Sequence, residues 1–204
     1  MKKPIMMHSR EYRTSADQAM KFCLDNLKFD TVLDICCGPG HHSDQFKAAG
    51  KTVTSIDKRD IYGQEYVGMY QDFSFEPHDL TWCSKALEHM LDVHSFLKKV
   101  RRETKLGGYT CMTVPPLKHE ITGGHVSLWN AGLLLYHLVL AGFDCKNAHI
   151  KTYSYNITVI APAANFVIPE LYYDKGDLEL LQPWLPDFCT EPFDGQILEY
   201  NWNA

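Results

Sequence analysis

Apolar positions along the chain recur in two rhythms. Short apolar runs stand at Thr31–Cys36, Val53–Ile56, Val67–Tyr70, Leu80–Cys83 and Tyr109–Val114. That length suits strands buried on both faces. Between them apolar residues fall at helical spacing, as Ala19, Phe22, Cys23 and Leu27 do within Thr14–Leu27. Ser43–Ala49, Ser95–Lys105 and Leu128–Ala141 read the same way. Ser15 stands where it can cap the first helix, and Gly50, Gly107-Gly108 and Gly142 stand where the others stop. Pro115-Pro116 closes the fifth strand.

Strands alternating with helices predict βαβ units and a mainly parallel sheet. Ala148–Tyr153 and Tyr155–Ala161 flank a tight turn and predict a closing antiparallel pair. The expectation is therefore an α/β chain with a doubly wound, seven-stranded, mostly parallel sheet and a final antiparallel hairpin. Residues 1–161 read as one domain, with a polar arm at 1–13. Residues 162–204 change character, with several prolines, acidic residues and the aromatics Trp184, Tyr200 and Trp202. They carry no second core and are expected to pack on the domain as a tail, with Leu178–Trp184 as the segment that folds back.

Composition narrows the function. The 204 residues are 45% hydrophobic and 22% charged, an ordinary globular balance. A net charge of -5 lacks the basic footprint of nucleic-acid binders. The cluster Lys98, Lys99, Arg101, Arg102 and Lys105 reads as the solvated face and end of a helix. Seven cysteines in no regular spacing read as reduced thiols. No run approaches the roughly 18 apolar residues that span a bilayer, and no secretory leader is expected. The expectation is a cytoplasmic protein with a small-molecule partner and neither membrane nor nucleic acid. Its oligomeric state is not legible.

The chemistry concentrates in Val32-Leu33-Asp34-Ile35-Cys36-Cys37-Gly38-Pro39-Gly40-His41-His42-Ser43. An apolar strand runs into a glycine turn that opens a helix, so a ligand can approach the backbone and meet unpaired N–H groups. Asp34 before the turn suits the ammonium of an amino-acid ligand and would repel a pyrophosphate. Asp57 ends the next strand, about where an acid accepts ribose hydroxyls. Lys58 follows it. Asp72 is placed to accept an adenine amino group, with Phe73 against the ring. Cys83 and Ser84 end the fourth strand, where backbone groups can line the reacting end of a cofactor.

This series resembles the class I S-adenosylmethionine-dependent methyltransferases, especially the small-molecule branch related to ubiquinone-biosynthesis methyltransferases. The family's first motif corresponds to Val32–Gly40, its ribose acid to Asp57 and its adenine-side acid to Asp72. Leu87-Glu88-His89, Leu106-Gly107-Gly108 and Ala141-Gly142-Phe143 stand in the family's order across roughly residues 15–161. The resemblance implies S-adenosylmethionine as cofactor, held by Asp34, Cys36, Gly38, Gly40, Asp57, Lys58, Asp72, Phe73, Cys83 and Ser84. Two departures stand out. Cys36 replaces a glycine, which narrows the pocket floor, and the segment between Asp57 and Val67 is short for a helix.

Gly123-Gly124-His125 lies on the side where the related enzymes meet their substrate. His125 is the candidate general base there, the alternative being a helix-start histidine with a local hydrogen bond. Glu88 and His89 read as packing or helix-holding residues. Tyr12 and Arg13 in the arm are placed to cover the site. His41-His42 raises a metal site, but adjacent histidines at a helix start are expected to point in different directions, so no metal is expected. Val114-Pro115-Pro116-Leu117 lacks the polar residue and the aromatic of nucleic-acid amino-methylating enzymes. That favours a small-molecule acceptor, methylated at O, N or S. Two other readings stay open: a Rossmann-type NAD oxidoreductase, and a non-catalytic methyltransferase-like binding module.

Overall fold

The structure, a computed structural model, describes residues 16–61 and 63–202. The arm at 1–13 with Tyr12 and Arg13, and the cap at Ser15, lie outside the described residues. The helices are α1 (Asp17–Asn26), α2 (His41–Ala48), α3 (Val93–Arg102), α4 (Ala131–Ala141) and α5 (Asp177–Leu181). The strands are β1 (Thr31–Ile35), β2 (Thr52–Asp57), β3 (Tyr66–Val67), β4 (His78–Ser84), β5 (Thr104–Val114), β6 (His149–Tyr153), β7 (Asn156–Pro162) and β8 (Glu199–Tyr200).

The described strands form one sheet in the order β3-β2-β1-β4-β5-β7-β6-β8. From β3 to β5 every pairing is parallel. β7 runs antiparallel to both β5 and β6, the expected closing hairpin. Successive strand residues face opposite sides, so each face has its own core. On one side Val32, Val53, Leu80, Trp82 and Cys111 meet Phe46 of α2 and Ala19, Met20 and Cys23 of α1. On the other, Leu33, Ile35, Ile56, Met112 and Val159 meet Phe96, Leu97 and Val100 of α3 and Leu134, Leu135 and Leu138 of α4. Each such side chain contributes roughly 1.5–3 kcal/mol by burial. The doubly wound architecture follows from apolar strands with two faces to cover.

Four of the differences from the sequence expectation have a local reason. The third strand is only Tyr66–Val67, and Tyr70–Asp72 is a 3-10 turn. α3 starts at Val93 because Asp92 caps it, accepting the Ser95 amide at 3.0 Å. α4 starts at Ala131 because Asn130 accepts the Leu133 amide at 2.7 Å, while Trp129 bridges to Pro116. Gly107-Gly108 does not stop α3. The strand β5 already runs from Thr104, and the glycines form its bulge. Register jumps from His78 opposite Thr104 to Leu80 opposite Tyr109. A Cβ on Gly108 would sit 2.6 Å from the Asp79 carbonyl oxygen, which is why a glycine stands there.

The sheet has eight described strands rather than seven, because Glu199–Tyr200 pairs with β6. Leu178 and Leu181 of α5, with Leu185 and Cys189, lie in the main core. Among the described residues no helix is long and apolar enough to cross a membrane.

Candidate functional site

The chain winds outward in opposite directions from β1 and β4, which lie side by side. Such a switch point opens a crevice beyond the carboxyl ends of the strands. Here it is a cleft of about 1170 Å³. Cys36 follows β1 and Lys85 follows β4, and both are non-glycine residues in the left-handed region, at φ 58° and 59°. Held conformations of this kind cluster where a backbone must present itself to a ligand. The conformation at Cys36 also accounts for the glycine that the resembled family carries there.

The glycine turn is braced from β2. The Cys37 amide donates to the Ile56 carbonyl at 3.0 Å, and the Gly38 amide donates to Asp57 Oδ2 at 3.0 Å. Asp57 Oδ1 accepts the Arg59 amide at 3.0 Å. Asp57 thus fixes its own carboxylate and the turn opposite, with lone pairs left on both oxygens. Gly38, at φ 54°, has open space where a Cβ would stand. Gly40 is the left-handed N-cap of α2.

Asp34 is 2% exposed and accepts the Ser43 hydroxyl at 2.6 Å. Burial raises its carboxyl to about 7, against the opposing pull of the Ser43 bond. Burial disfavours its charge, and a cation placed beside it would favour that charge. The Cys36 thiol is pushed up to about 12 by burial, with Asp57 and Asp34 nearby, and stays protonated at neutral pH.

Asp34, Cys36, Gly38, Asp57, Lys58 and Ser84 line the cleft. Gly40, Asp72, Phe73, Cys83 and His125 are not among its lining residues. Asp72 is exposed on the 3-10 turn. Phe73 packs against Gly68 and the Tyr66 ring. Cys83 is fully buried in the core. The wall near Asp57 comes instead from Gly68, Met69, Tyr70 and Gln71, just before the pair that the sequence points to. Their signal is the short β2–β3 connection, which pulls the wall closer along the chain.

Tyr70 of that wall donates to Glu103 Oε2 at 2.6 Å, and Phe75 donates its amide to Glu103 Oε1 at 3.1 Å. Lys99 pairs with Glu103, and its Nζ lies 4.3 Å from the Tyr70 ring centroid. Glu103 and Lys99 are both buried, so this is an internal ion pair with its polar atoms satisfied.

The other side of the cleft carries Lys85, His89 and Gly124. The His89 Nδ1 lies 2.7 Å from the Gly124 carbonyl. A carbonyl only accepts, so Nδ1 carries the proton in that contact. The His125 ring stands 5.1 Å from that of His89. Desolvation, then the charges of His89, Lys85 and Lys118, lower the His125 imidazole below its ordinary value. Glu88 is 1% exposed, burial raises its carboxyl, and its Oε2 has no hydrogen-bond partner among the described residues. Lys85 donates to the Tyr155 carbonyl, and burial lowers its ammonium to about 8.

The histidines expected to diverge do not. His41 Nε2 lies 3.0 Å and His42 Nε2 3.7 Å from the same oxygen, Asp17 Oδ1. Burial lowers the His42 imidazole to about 4.

Among known proteins, the chain is 29% identical over 119 residues to the malonyl-[acyl-carrier protein] O-methyltransferase of Salmonella typhimurium. That match covers 52% of this chain and 47% of the relative, so the chain spans about half the length of the curated relative it matches. Its fold is similar to that of the 1,6-didemethyltoxoflavin-N1-methyltransferase of Burkholderia thailandensis, crystallised with 1,6-didemethyltoxoflavin and S-adenosylhomocysteine. The TM-score is 0.63 at 14% identity, covering 74% of this chain and 78% of that one. It is also similar to phosphoethanolamine N-methyltransferase 2 of Haemonchus contortus in complex with S-adenosyl-L-methionine. There the TM-score is 0.58 at 14% identity, covering 72% of this chain and 52% of that one. The methyltransferase-domain family model matches residues 7–170. The chain belongs to that family, of the class I S-adenosylmethionine-dependent kind that its motifs resemble.

Proposed function

We propose that this protein transfers the methyl group of S-adenosylmethionine to a small-molecule acceptor. Asp34 carries the reading: a buried carboxyl, raised to about 7, at the mouth of a braced glycine turn. The ammonium of an amino-acid cofactor supplies the missing countercharge, whereas a dinucleotide pyrophosphate would add a second negative charge. Gly38, Cys36 and Gly40 shape the turn, and Asp57 and Lys58 take the ribose side. Ser84, with Cys83 behind it, borders the reacting end. Asp72 and Phe73, read from the sequence as the acceptor of the adenine amino group and the ring packed on it, follow the lining residues 68–71 in the chain. Residues 1–161 form the catalytic domain and 162–204 its packed tail.

The donor is an activated sulfonium, so the site chiefly aligns two reactants and excludes water. His125, beside the cleft-lining Gly124 and His89, is the first candidate to accept the acceptor's proton, since its lowered pKa leaves the imidazole neutral at pH 7. His89, with its Nδ1 fixed on Gly124, orients the neighbouring ring. The acceptor atom, O, N or S, is open.

Calorimetry on the full chain with S-adenosylmethionine, S-adenosylhomocysteine and NADH tests the reading. Binding of both sulfur nucleosides and no binding of NADH is expected. Binding of NADH alone would move the protein to the oxidoreductases. Nucleoside binding without turnover on any acceptor would leave a binding module. With an acceptor in hand, His125→Ala is expected to lower kcat about a hundredfold; unchanged turnover would remove His125 from the chemistry.

A further inference from the structure

We infer that Asp17, His41 and His42 form a binding site for a first-row transition-metal dication of the zinc class, clamping α1 to the first turn of α2. The three side chains come from two helices and converge on one point. Both Nε2 atoms approach the same carboxylate oxygen, at 3.0 and 3.7 Å, and the three ligand atoms all lie within 4.8 Å of one another. A tetrahedral ion with bonds of about 2.0–2.2 Å holds its ligand atoms roughly 3.3–3.5 Å apart. The two nitrogen-to-oxygen separations straddle that value. The remaining pair closes onto an ion by a shift of at most about 1.5 Å.

The His42 ring lies 4.9 Å from that of Trp82. The Gln45 amide, 2.7 Å from His41 Nε2, occupies that lone pair and must swing aside when an ion takes it. The two imidazoles stand edge to face, 5.2 Å apart. Two imidazoles and one carboxylate, with no thiol, favour Zn²⁺, Co²⁺ or Ni²⁺ over Mg²⁺ or Ca²⁺. Three protein ligands leave at least one coordination position open. His41 and His42 also line the cleft, which places the ion at its wall.

The rival is a plain hydrogen-bonded tether. Asp17 stands in the first turn of a helix, where an anion is favoured without any metal. The two cases differ in what they bind. The metal site stands apart from the methyl-donor reading, because ion binding is measured alone.

The test uses the full chain stripped with a chelator and titrated with Co²⁺. The expected result is saturable one-to-one binding with visible d–d absorption, displaced by Zn²⁺ and not by Mg²⁺. Asp17→Asn and His41→Ala are each expected to weaken Co²⁺ binding more than about 100-fold, since loss of a ligand exceeds loss of an outer-shell partner. A readout on the unaltered protein guards against variants that do not fold: X-ray absorption at the zinc edge shows imidazole and carboxylate donors. Absence of stoichiometric binding at submillimolar Co²⁺ or Zn²⁺ overturns the site. So does ion binding that is undiminished in both variants.

Discussion

The two sides of the cleft are built from different material. The Asp34–Asp57 side is made of strand ends and the turn they brace. Asp34 and Asp57 each accept a hydrogen bond that braces the turn or the helix after it, and Tyr70 and Lys99 of the Tyr70–Glu103–Lys99 network line the cleft as well. The Gly124–His125 side is made from the connection between β5 and α4, where Ile121 is 88% exposed and Leu117 and Val126 are exposed too. Leu91, which also lines the cleft, is 91% exposed. Buried parallel strands can hold a carboxylate in one place at little entropic cost. The loop, with its apolar residues in water, is held by a few polar contacts, the Gly124 carbonyl on His89 and the Val126 amide on the Glu88 carbonyl among them. One side is organised before any ligand arrives, and the other is expected to gain order with the acceptor.

Breaking the organised side is expected to give the largest effect. Glu103→Ala strands the Lys99 ammonium and removes the acceptor for Tyr70 and the Phe75 amide. Urea unfolding should show a loss of about 3–5 kcal/mol. A loss below about 1 kcal/mol would mean the network is decorative.

Asp34→Asn comes next. It removes one charge-assisted contact, so S-adenosylhomocysteine should bind about 10–100-fold more weakly. Stability should move the other way. The Asp34 carboxyl goes from 3.8 in the unfolded chain to about 7 in the fold, so between those values the native state holds more protons. That contribution is fully present below about pH 4 and is lost as pH rises to 7. The neutral amide of the variant keeps it at every pH, and the variant's stability curve should be flatter across that window. For ligand binding the sign is opposite. The ammonium needs the carboxylate, so affinity in the parent should fall about tenfold per pH unit below 7 and level off above it. An affinity flat from pH 5 to 8 would remove Asp34 from the contact.

Which parts of the molecule are legible in its sequence depends on what a sequence records. Strand ends are readable because an acid that breaks an apolar run rarely stands there for packing, and Asp34 and Asp57 stand out that way. The wall at Gly68, Met69, Tyr70 and Gln71 is not, because Tyr66–Val67 is a short, exposed strand with no periodicity to detect. Gly107-Gly108 reads as a helix stop, since a glycine pair looks the same before a strand as inside its bulge. His41-His42 misleads through adjacency alone. The carboxylate that draws both rings together lies on another helix, 24 positions away from His41. Asp92 and Asn130 are caps that apolar spacing alone passes over, which is why α3 and α4 start elsewhere than expected.

Cys36→Gly probes the organised side more gently. It relieves a left-handed non-glycine residue, worth about 1–2 kcal/mol, against roughly 0.5–1 kcal/mol of added unfolded-state entropy. A gain of about 0.5 kcal/mol in urea is expected, with tighter S-adenosylhomocysteine binding from a wider floor. A loss of stability would show that the thiol's packing on the core outweighs its strain. On the loop side, Ile121→Ser should leave stability within about 0.5 kcal/mol. It should leave nucleoside affinity alone and raise only the KM for the acceptor. A change in nucleoside affinity would mean that the two sides are coupled before the acceptor binds.

The sheet terminates in two-residue strands at both borders, β3 at one and β8 at the other. A border strand that short offers too few open N–H and C=O groups to template a second chain. Without residues 199–200, five-residue β6 would become the border, with its full row of backbone groups bare. The last segment therefore acts as a selvedge that keeps the woven sheet from joining its neighbours. Chains cut before it are expected to precipitate through edge-to-edge pairing while their clefts are still intact.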